Sequence, residues 1–223
     1  MFGDAFNMEK IMGACERILY FLKVNFLFVI SNLPVLCFFL FVGISQVRTC
    51  LPLFLLCLVP AGPALCALFF SMNRVLRGTD TSAWKDYRKG YVDSWGRKMA
   101  VAGIQMMMVW ILWTNVEFFA VQIPVLPLTV LFTLLFAFCL LITPNLYLLA
   151  SRYEMKIKDI FKGAAMLSIT RPVITLGNVA MLAVVLMLVE IQAGTAVLFV
   201  ASLYGFVVVF MNRKVMRELE ESK

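Results

Sequence analysis

The side chains that could carry out chemistry are few in this sequence. The chain has no histidine, and its six cysteines form no C-x-x-C pair. The usual zinc sites and the Ser-His or Cys-His nucleophile pairs therefore cannot be built from it. The sequence also has no P-loop, no dinucleotide-binding glycine motif and no acidic cluster for Mg²⁺. We therefore expect no catalytic site, no bound metal and no cofactor.

Polar side chains within apolar runs are the remaining candidates for a functional site. Two carboxylates, Glu117 and Glu190, lie near the ends of such runs, where each either reaches the membrane surface or forms a cation or proton site. Five amides either line a polar path or hydrogen-bond neighbouring helices: Asn25, Asn32, Gln105, Asn145 and Asn178. The four asparagines among them are the predicted polar cavity. Pro34, Pro60 and Pro63 predict kinks in the first two apolar runs, and interrupted helices line binding sites in transporters.

The composition indicates which elements must position these residues. Hydrophobic residues make up 62% of the 223, charged residues make up 15%, and the mean hydropathy is +0.92. A soluble domain has about 45–50% apolar and about 25% charged residues. The composition therefore excludes a soluble domain, a disordered chain and a disulfide-stapled secreted module, and it predicts an all-α polytopic membrane protein. The apolar runs are Val24–Ile44, Cys50–Ser71, Ala100–Phe119, Pro124–Ala150, Val173–Val189 and Ala193–Met211.

The distribution of Lys and Arg predicts the orientation of these six spans. Nineteen of the 20 basic residues fall on one side of a six-span arrangement, and the other is Arg48. By the positive-inside rule, both termini and the loops 72–99 and 151–172 are cytoplasmic. We expect a six-helix transmembrane domain, 24–211, between a cytoplasmic or interfacial segment, 1–23, and a cytoplasmic tail, 212–223. We therefore expect the net charge of +7 to interact with anionic lipids of the cytoplasmic leaflet and not with nucleic acid.

The loop 72–99 carries the clearest candidate for a docking surface. Its aromatic residues are spaced by three, four and four positions, which places them on one face of a helix with basic residues beside it. The predicted surface for lipid or for a partner comprises Trp84, Lys85, Tyr87, Arg88, Lys89, Tyr91 and Trp95. The loop 151–172 also predicts an amphipathic helix.

A short repeat relates the two loops. Lys85-Asp86-x-x-Lys89-Gly90 recurs as Lys158-Asp159-x-x-Lys162-Gly163, each time after an even-numbered span. The repeat suggests three related helical hairpins in the same orientation. Small residues such as Gly103 and Gly177 permit close helix packing, within one chain or in a homo-oligomer.

Several motifs resemble one bacterial family. The chain resembles the YesL-like family of membrane proteins along essentially its whole length. Three groups of residues carry the resemblance: Leu22-Lys23-Val24-Asn25-Phe26-Leu27-Phe28 with Ser31-Asn32-Leu33-Pro34, Gly62 to Phe69 with Arg74, and Trp84-Lys85-Asp86-Tyr87 with Trp95. That family is a domain of unknown function, so the resemblance implies no catalytic residues. It implies a bacterial cell (inner) membrane and a context beside carbohydrate uptake transporters and their two-component sensors.

Two functions are compatible with these observations. The first is a non-enzymatic accessory or regulatory partner of a carbohydrate (ABC-type) uptake system, bound to a sugar transporter permease or a sensor kinase. The alternative is a small solute transporter or channel with a polar cavity at the kinked first and second helices. A membrane enzyme is disfavoured because the sequence has no catalytic motif.

Overall fold

The protein is helical throughout the part that the structure describes. A computed structural model describes residues 8–78, 82–122, 124–191 and 199–221, and no β-strand occurs among them. The helices are α1 (Met8–Ser31), α2 (Leu33–Phe41), α3 (Leu51–Leu58), α4 (Ala61–Leu76), α5 (Ala83–Val92), α6 (Trp95–Glu117), α7 (Leu126–Arg152), α8 (Ile157–Thr170), α9 (Pro172–Ile191), α10 (Val200–Met211) and α11 (Arg213–Glu221). A 3₁₀ turn, Ile44–Gln46, precedes α3, and a π-helical turn, Phe118–Gln122, extends α6.

Several of these helices are long and apolar enough to cross a membrane. Three stretches qualify on their own: Leu51–Leu76, Trp95–Gln122 and Leu126–Arg152. Two bent pairs, α1 with α2 and α8 with α9, raise the number to five if each pair is one span. The all-α fold is therefore confirmed for the described residues, with three to five helical segments that could span a membrane. The count of six stays a prediction, because α10 has only 12 residues and residues 192–198 before it lie outside the described part.

Proline positions explain the bends. The 58° bend between α1 and α2 falls at Asn32, just before Pro34 in the first turn of α2. The 99° bend between α8 and α9 falls at Arg171, and Pro172 begins α9. Proline lacks the N–H that would continue the preceding helix, and its ring disfavours helical backbone in the residue before it. Pro144, in contrast, lies inside α7 without ending that helix.

Helix α4 lies at the centre of the packing, in contact with α1, α5, α6, α7 and α10. Helix α5 runs back along α4, because Asp86 near its start pairs with Arg74 and Gly90 near its end lies against Ala67. Helix α6 continues in the same direction, with Ala102 against Gly62. The loop 72–99 therefore contains the predicted helix, and that helix packs antiparallel to α4.

The buried core is concentrated at one end of the bundle. It contains α4 from Gly62 to Met72, the first turns of α6 and the last turns of α7, with Met72, Val101 and Leu148 fully buried. Towards the other end, α6 and α7 expose large apolar side chains such as Ile111 and Leu134. Such exposed apolar faces are expected where a helix meets lipid. We call the second end, which carries Arg48 and Glu117, the open end.

The two copies of the loop repeat share one feature and differ in another. Gly90 of α5 lies against α4, and Gly163 of α8 lies near Leu149 of α7, so both glycines face the preceding long helix. Asp86 is buried, whereas Asp159 is exposed. A relation between three hairpins stays a prediction.

Candidate functional site

Helix α5 has one buried face and one exposed basic face. Its buried residues are Ala83, Asp86, Tyr87 and Gly90. The exposed side carries Trp84, Lys85, Arg88 and Lys89, which we call the α5 basic face. Together with Val92 and Asp93, these four residues surround a shallow depression of about 540 Å³. The structure thus brings four of the seven predicted docking residues together on one exposed surface.

The predicted aromatic stripe, however, does not form a single exposed face. Tyr87 is buried, donates a hydrogen bond from its hydroxyl to Ser31 Oγ at 3.0 Å, and stacks on the half-buried Tyr91. Burial raises the pKa of the Tyr87 phenol, so it stays a hydrogen-bond donor. Trp95 lies beyond Ser94, in the first turn of α6, and is half-exposed. Tyr87 therefore belongs to the core, because the small residues Ala83 and Gly90 turn its side of α5 towards α4.

A buried carboxylate fixes α5 to two other helices. Asp86 is 2% exposed, and its Oδ1 lies 3.2 Å from Arg74 Nε of α4. The hydroxyl of Tyr20, in α1, donates a hydrogen bond to Asp86 Oδ2 at 2.8 Å. This role of Asp86 was not predicted from the sequence. Asp86 lies on the same side of α5 as positions 83, 87 and 90, and a charge buried there is costly unless it is paired.

A buried lysine fixes the other end of α5. The Nζ of Lys98, a residue 2% exposed, donates hydrogen bonds to the carbonyl oxygens of Gly90 at 2.7 Å and Asp93 at 2.6 Å. A cation at this position satisfies carbonyl groups that the helix leaves unpaired and complements its dipole. Ser94, in the left-handed region with φ of 51°, then turns the chain into α6. From the sequence, Lys98 was only one of the basic residues that set the orientation.

The predicted cavity asparagines lie at two different levels. The Oδ1 of Asn25, a buried residue, accepts hydrogen bonds from the backbone N–H groups of Ala201 at 3.1 Å and Ser202 at 3.4 Å. These are N–H groups in the first turn of α10, which have no partner within the helix itself. Asn32 lies at the bend between α1 and α2, where its Nδ2 donates to the carbonyl of Phe28. Both amides thus stabilise helix ends.

The other two asparagines belong to a buried chain of amides. Asn145 Nδ2 donates to Ser168 Oγ at 2.9 Å and to Thr175 Oγ1 at 3.2 Å, and its Oδ1 accepts from Asn178 Nδ2 at 3.3 Å. Asn178 Oδ1 accepts in turn from Asn212 Nδ2 at 3.4 Å. This chain joins α7, α8 and α9 to the residue that follows α10.

Asn25 and Asn178 are therefore at opposite ends of α10. Asn25 contacts Ala201 and Asn178 contacts Asn212, which is 11 residues further along the chain. At 1.5 Å per residue this separation is roughly 16 Å. The structure brings Asn145 and Asn178 together and leaves Asn25 and Asn32 apart from them. Asn212, which completes the chain, lies at the end of an apolar run, so its sequence position suggested a helix end and not a buried contact.

The carboxylate candidates have different outcomes. Glu117 Oε1 lies 2.6 Å from the Nη2 of Arg48, and both side chains are well exposed at the open end. An exposed ion pair of this kind contributes about 0–1 kcal/mol. The side chain of Glu190 lies outside the described residues. Within the described ranges, no three His, Cys, Asp or Glu side chains are grouped so that they could hold a metal ion.

These features define a helical protein with several membrane-type helices and a basic face fixed at one end of its bundle. Residues 21–116 match the family described as "Protein of unknown function, DUF624", which is the YesL-like family. The resemblance is thus confirmed over this range, which includes α5 with Arg74 and Lys98, although the sequence suggested it along essentially the whole chain. No curated protein and no solved structure matches the chain.

Proposed function

We propose that this protein is a non-enzymatic accessory component of a bacterial cell membrane, with six spans and both termini in the cytoplasm. In this arrangement the α5 basic face lies on the cytoplasmic side and binds an acidic surface of a membrane partner. The context that accompanies the YesL-like resemblance suggests a carbohydrate uptake permease or its sensor kinase as that partner. The 19-to-1 distribution of basic residues supports the orientation.

The observation that carries this proposal is the fixed presentation of the α5 basic face. Lys85, Arg88 and Lys89 project from one side of a helix whose opposite side is held by Asp86 and Lys98. A surface that is already ordered loses less conformational entropy when a partner binds. Trp84, 58% exposed between these cations, adds an aromatic side chain of the kind that is enriched at interfaces.

A charge reversal with a matched control tests the proposal. The double variant Lys85→Glu and Lys89→Glu reverses two charges of the α5 basic face. The double variant Lys158→Glu and Lys162→Glu makes the same change on the exposed side of α8, in the second copy of the sequence repeat. Each variant is tagged, crosslinked in cells and purified in mild detergent, and the co-purified permease or kinase is quantified by mass spectrometry.

We expect the α5 variant to lower the recovered permease or kinase at least tenfold and the α8 variant to leave it unchanged. Two close charge pairs at about 1.5 kcal/mol or more each would account for this loss. Equal recovery with the wild type and a correctly inserted α5 variant would refute the docking role. An equal loss in both variants would point to net charge, and not to this surface.

Accessibility of single cysteines tests the orientation. Ser45, exposed between α2 and α3, is expected outside the cell, and Ser82, exposed before α5, is expected in the cytoplasm. In a variant without native cysteines, Ser45→Cys should react with a membrane-impermeant maleimide on intact cells. Ser82→Cys should react only after permeabilisation. The reverse pattern would overturn the proposed orientation.

The alternative of a small solute transporter or channel has less support. It relies on Asn25, Asn32, Asn145 and Asn178, whose amides hydrogen-bond to protein groups at separate places. No specific observation among the described residues favours it, and we do not propose it.

A further inference from the structure

A cavity at the open end of the bundle has no role in the proposed docking function. It measures about 600 Å³ and lies between the α2–α3 connection, α3, α6 and α7. Its wall is mostly apolar and includes Leu51, Leu55, Met106, Val109, Phe136 and Leu140. Arg48 and Ser45 lie at its edge, near the ion pair with Glu117. Its volume is within the range of about 300–1,000 Å³ that is typical of small-molecule sites.

Two residues that line this cavity each carry a buried polar atom without a hydrogen-bond partner. Gln105 is 2% exposed; its Nε2 donates to Thr143 Oγ1 at 2.7 Å, but its Oε1 accepts no hydrogen bond. Trp113 Nε1 is likewise buried and unpaired. Nearly all buried polar groups in native proteins have a partner, and each exception requires an explanation. A bound molecule that supplies the partner is the explanation that the neighbouring cavity suggests.

The two atoms define where a ligand would need its polar groups. Gln105 Oε1 can only accept, so it requires an O–H or N–H donor, whereas Trp113 Nε1 can only donate. The residues are eight positions apart on α6, which corresponds to roughly 12 Å along the axis. Between them the lining is apolar. A ligand that pairs Gln105 Oε1 is therefore an elongated apolar molecule with a donor at one end, and an oxygen acceptor nearer the open end would in addition pair Trp113 Nε1.

We propose that this cavity binds a lipid-like alcohol whose hydroxyl donates a hydrogen bond to Gln105 Oε1. An alkane lacks the donor, a sugar lacks the apolar body, and an anionic head would be costly to desolvate beside Leu140 and Met106. The terminal amide of glutamine turns about a soft torsion, which allows its oxygen to move towards a ligand. The exposed apolar faces of α6 and α7 give a molecule dissolved in the bilayer a route of entry.

Photocrosslinking with defined probes tests the proposal on the full chain in lipid nanodiscs. A diazirine-bearing dodecanol labels the protein, and unlabelled 1-dodecanol, dodecyl methyl ether or dodecanoate competes with it. We expect the label on peptides of α3, α6 and α7 that line the cavity. We also expect the alcohol to compete about fivefold better than the ether. This factor corresponds to one hydrogen bond of about 1 kcal/mol, because about 1.4 kcal/mol changes a binding constant tenfold.

Two variants separate ligand recognition from packing. Gln105→Met keeps a similar volume and removes the acceptor, so the preference for alcohol over ether should disappear. Thr143→Val removes the hydrogen bond between α6 and α7 but leaves Gln105 Oε1 in place, so the preference should remain. Thermal unfolding of each variant shows whether it is folded. If a variant does not fold, the competition of alcohol and ether in the wild-type protein decides the proposal.

Three results would overturn the proposal. The first is equal competition by alcohol and ether in the wild type, and the second is a label that maps outside the cavity. The third is stronger competition by dodecanoate, which would mean that Arg48 selects an anionic head instead. None of these results bears on the α5 basic face, which lies on the helix before α6, away from the open end.

Discussion

Replacing Gly62 by alanine is the most direct test of the packing at the centre of the bundle. A Cβ atom at Gly62 would overlap with the Cβ of Ala102 in α6 and would approach Tyr147 Cε1 in α7 to 3.0 Å. Both neighbours are buried, and the methyl group of Ala102 has no rotamer with which to move away. Helices α4 and α6 must therefore separate for the substitution to be accommodated.

The expected size of this effect follows from two opposing contributions. Overpacking in a core costs about 1–3 kcal/mol, and alanine in place of glycine returns up to about 1 kcal/mol in a helix. The net destabilisation is roughly 1–2 kcal/mol, which lowers Tm by about 2–8 °C in a chain of this length. The control is Gly103→Ala in α6, where a Cβ meets nothing within 4 Å.

Thermal unfolding of both variants in the same mild detergent, followed by tryptophan fluorescence, measures the difference. We expect Gly62→Ala to lower Tm and Gly103→Ala to leave it unchanged or raise it by up to about 4 °C. Opposite signs would confirm the close contact between α4 and α6. A Tm for Gly62→Ala at or above the wild-type value would show that these helices do not approach as the structure describes.

Three further predictions concern other parts of the protein. Asp86→Asn should lower the free energy of unfolding by about 1–3 kcal/mol because it removes one charge of a largely buried pair, whereas the exposed Asp93→Asn should change it by less than about 0.5 kcal/mol in the same thermal assay. Asn25→Ala should speed amide hydrogen exchange in the first turn of α10, because two N–H groups there lose the side-chain oxygen that accepts their hydrogen bonds. Unchanged exchange would refute the capping role. A maleimide should modify the exposed Cys15 of the folded protein in detergent and leave the buried Cys66 unmodified until denaturant is added, and equal rates for the two thiols would contradict the described core.

Hydropathy predicted the long helices well and their tertiary partners poorly. The predicted run Pro124–Ala150 corresponds to Leu126–Arg152, because burial in lipid requires a continuous apolar stretch and leaves a strong signal. Proline positions were less informative, since Pro172 begins a new helix while Pro144 lies within one. The consequence of a proline depends on whether neighbouring helices hold the chain straight, and a single sequence does not contain that information.

The candidate sites show the same limit at the level of single residues. The spacing of Trp84, Tyr87 and Tyr91 correctly places them near one another on a helix. It does not specify which side of that helix faces α4, and Tyr87 is buried for that reason. The pairing of Asn178 with Asn212 joins residues 34 positions apart, and the role of Gln105 depends on a cavity that three helices create. Such contacts follow from packing and not from local pattern.

The hydrogen bonds between Asn25 and the start of α10 also have a consequence for synthesis. They connect residues 176 and 177 positions apart, so the acceptor is made long before its donors. At about 5–20 residues per second, the nascent chain holds Asn25 in its first span for roughly 9–35 s before Ala201 is translated. During that interval the Oδ1 of Asn25 cannot form its two hydrogen bonds to the start of α10. The bundle therefore closes only after the last apolar helix has left the ribosome.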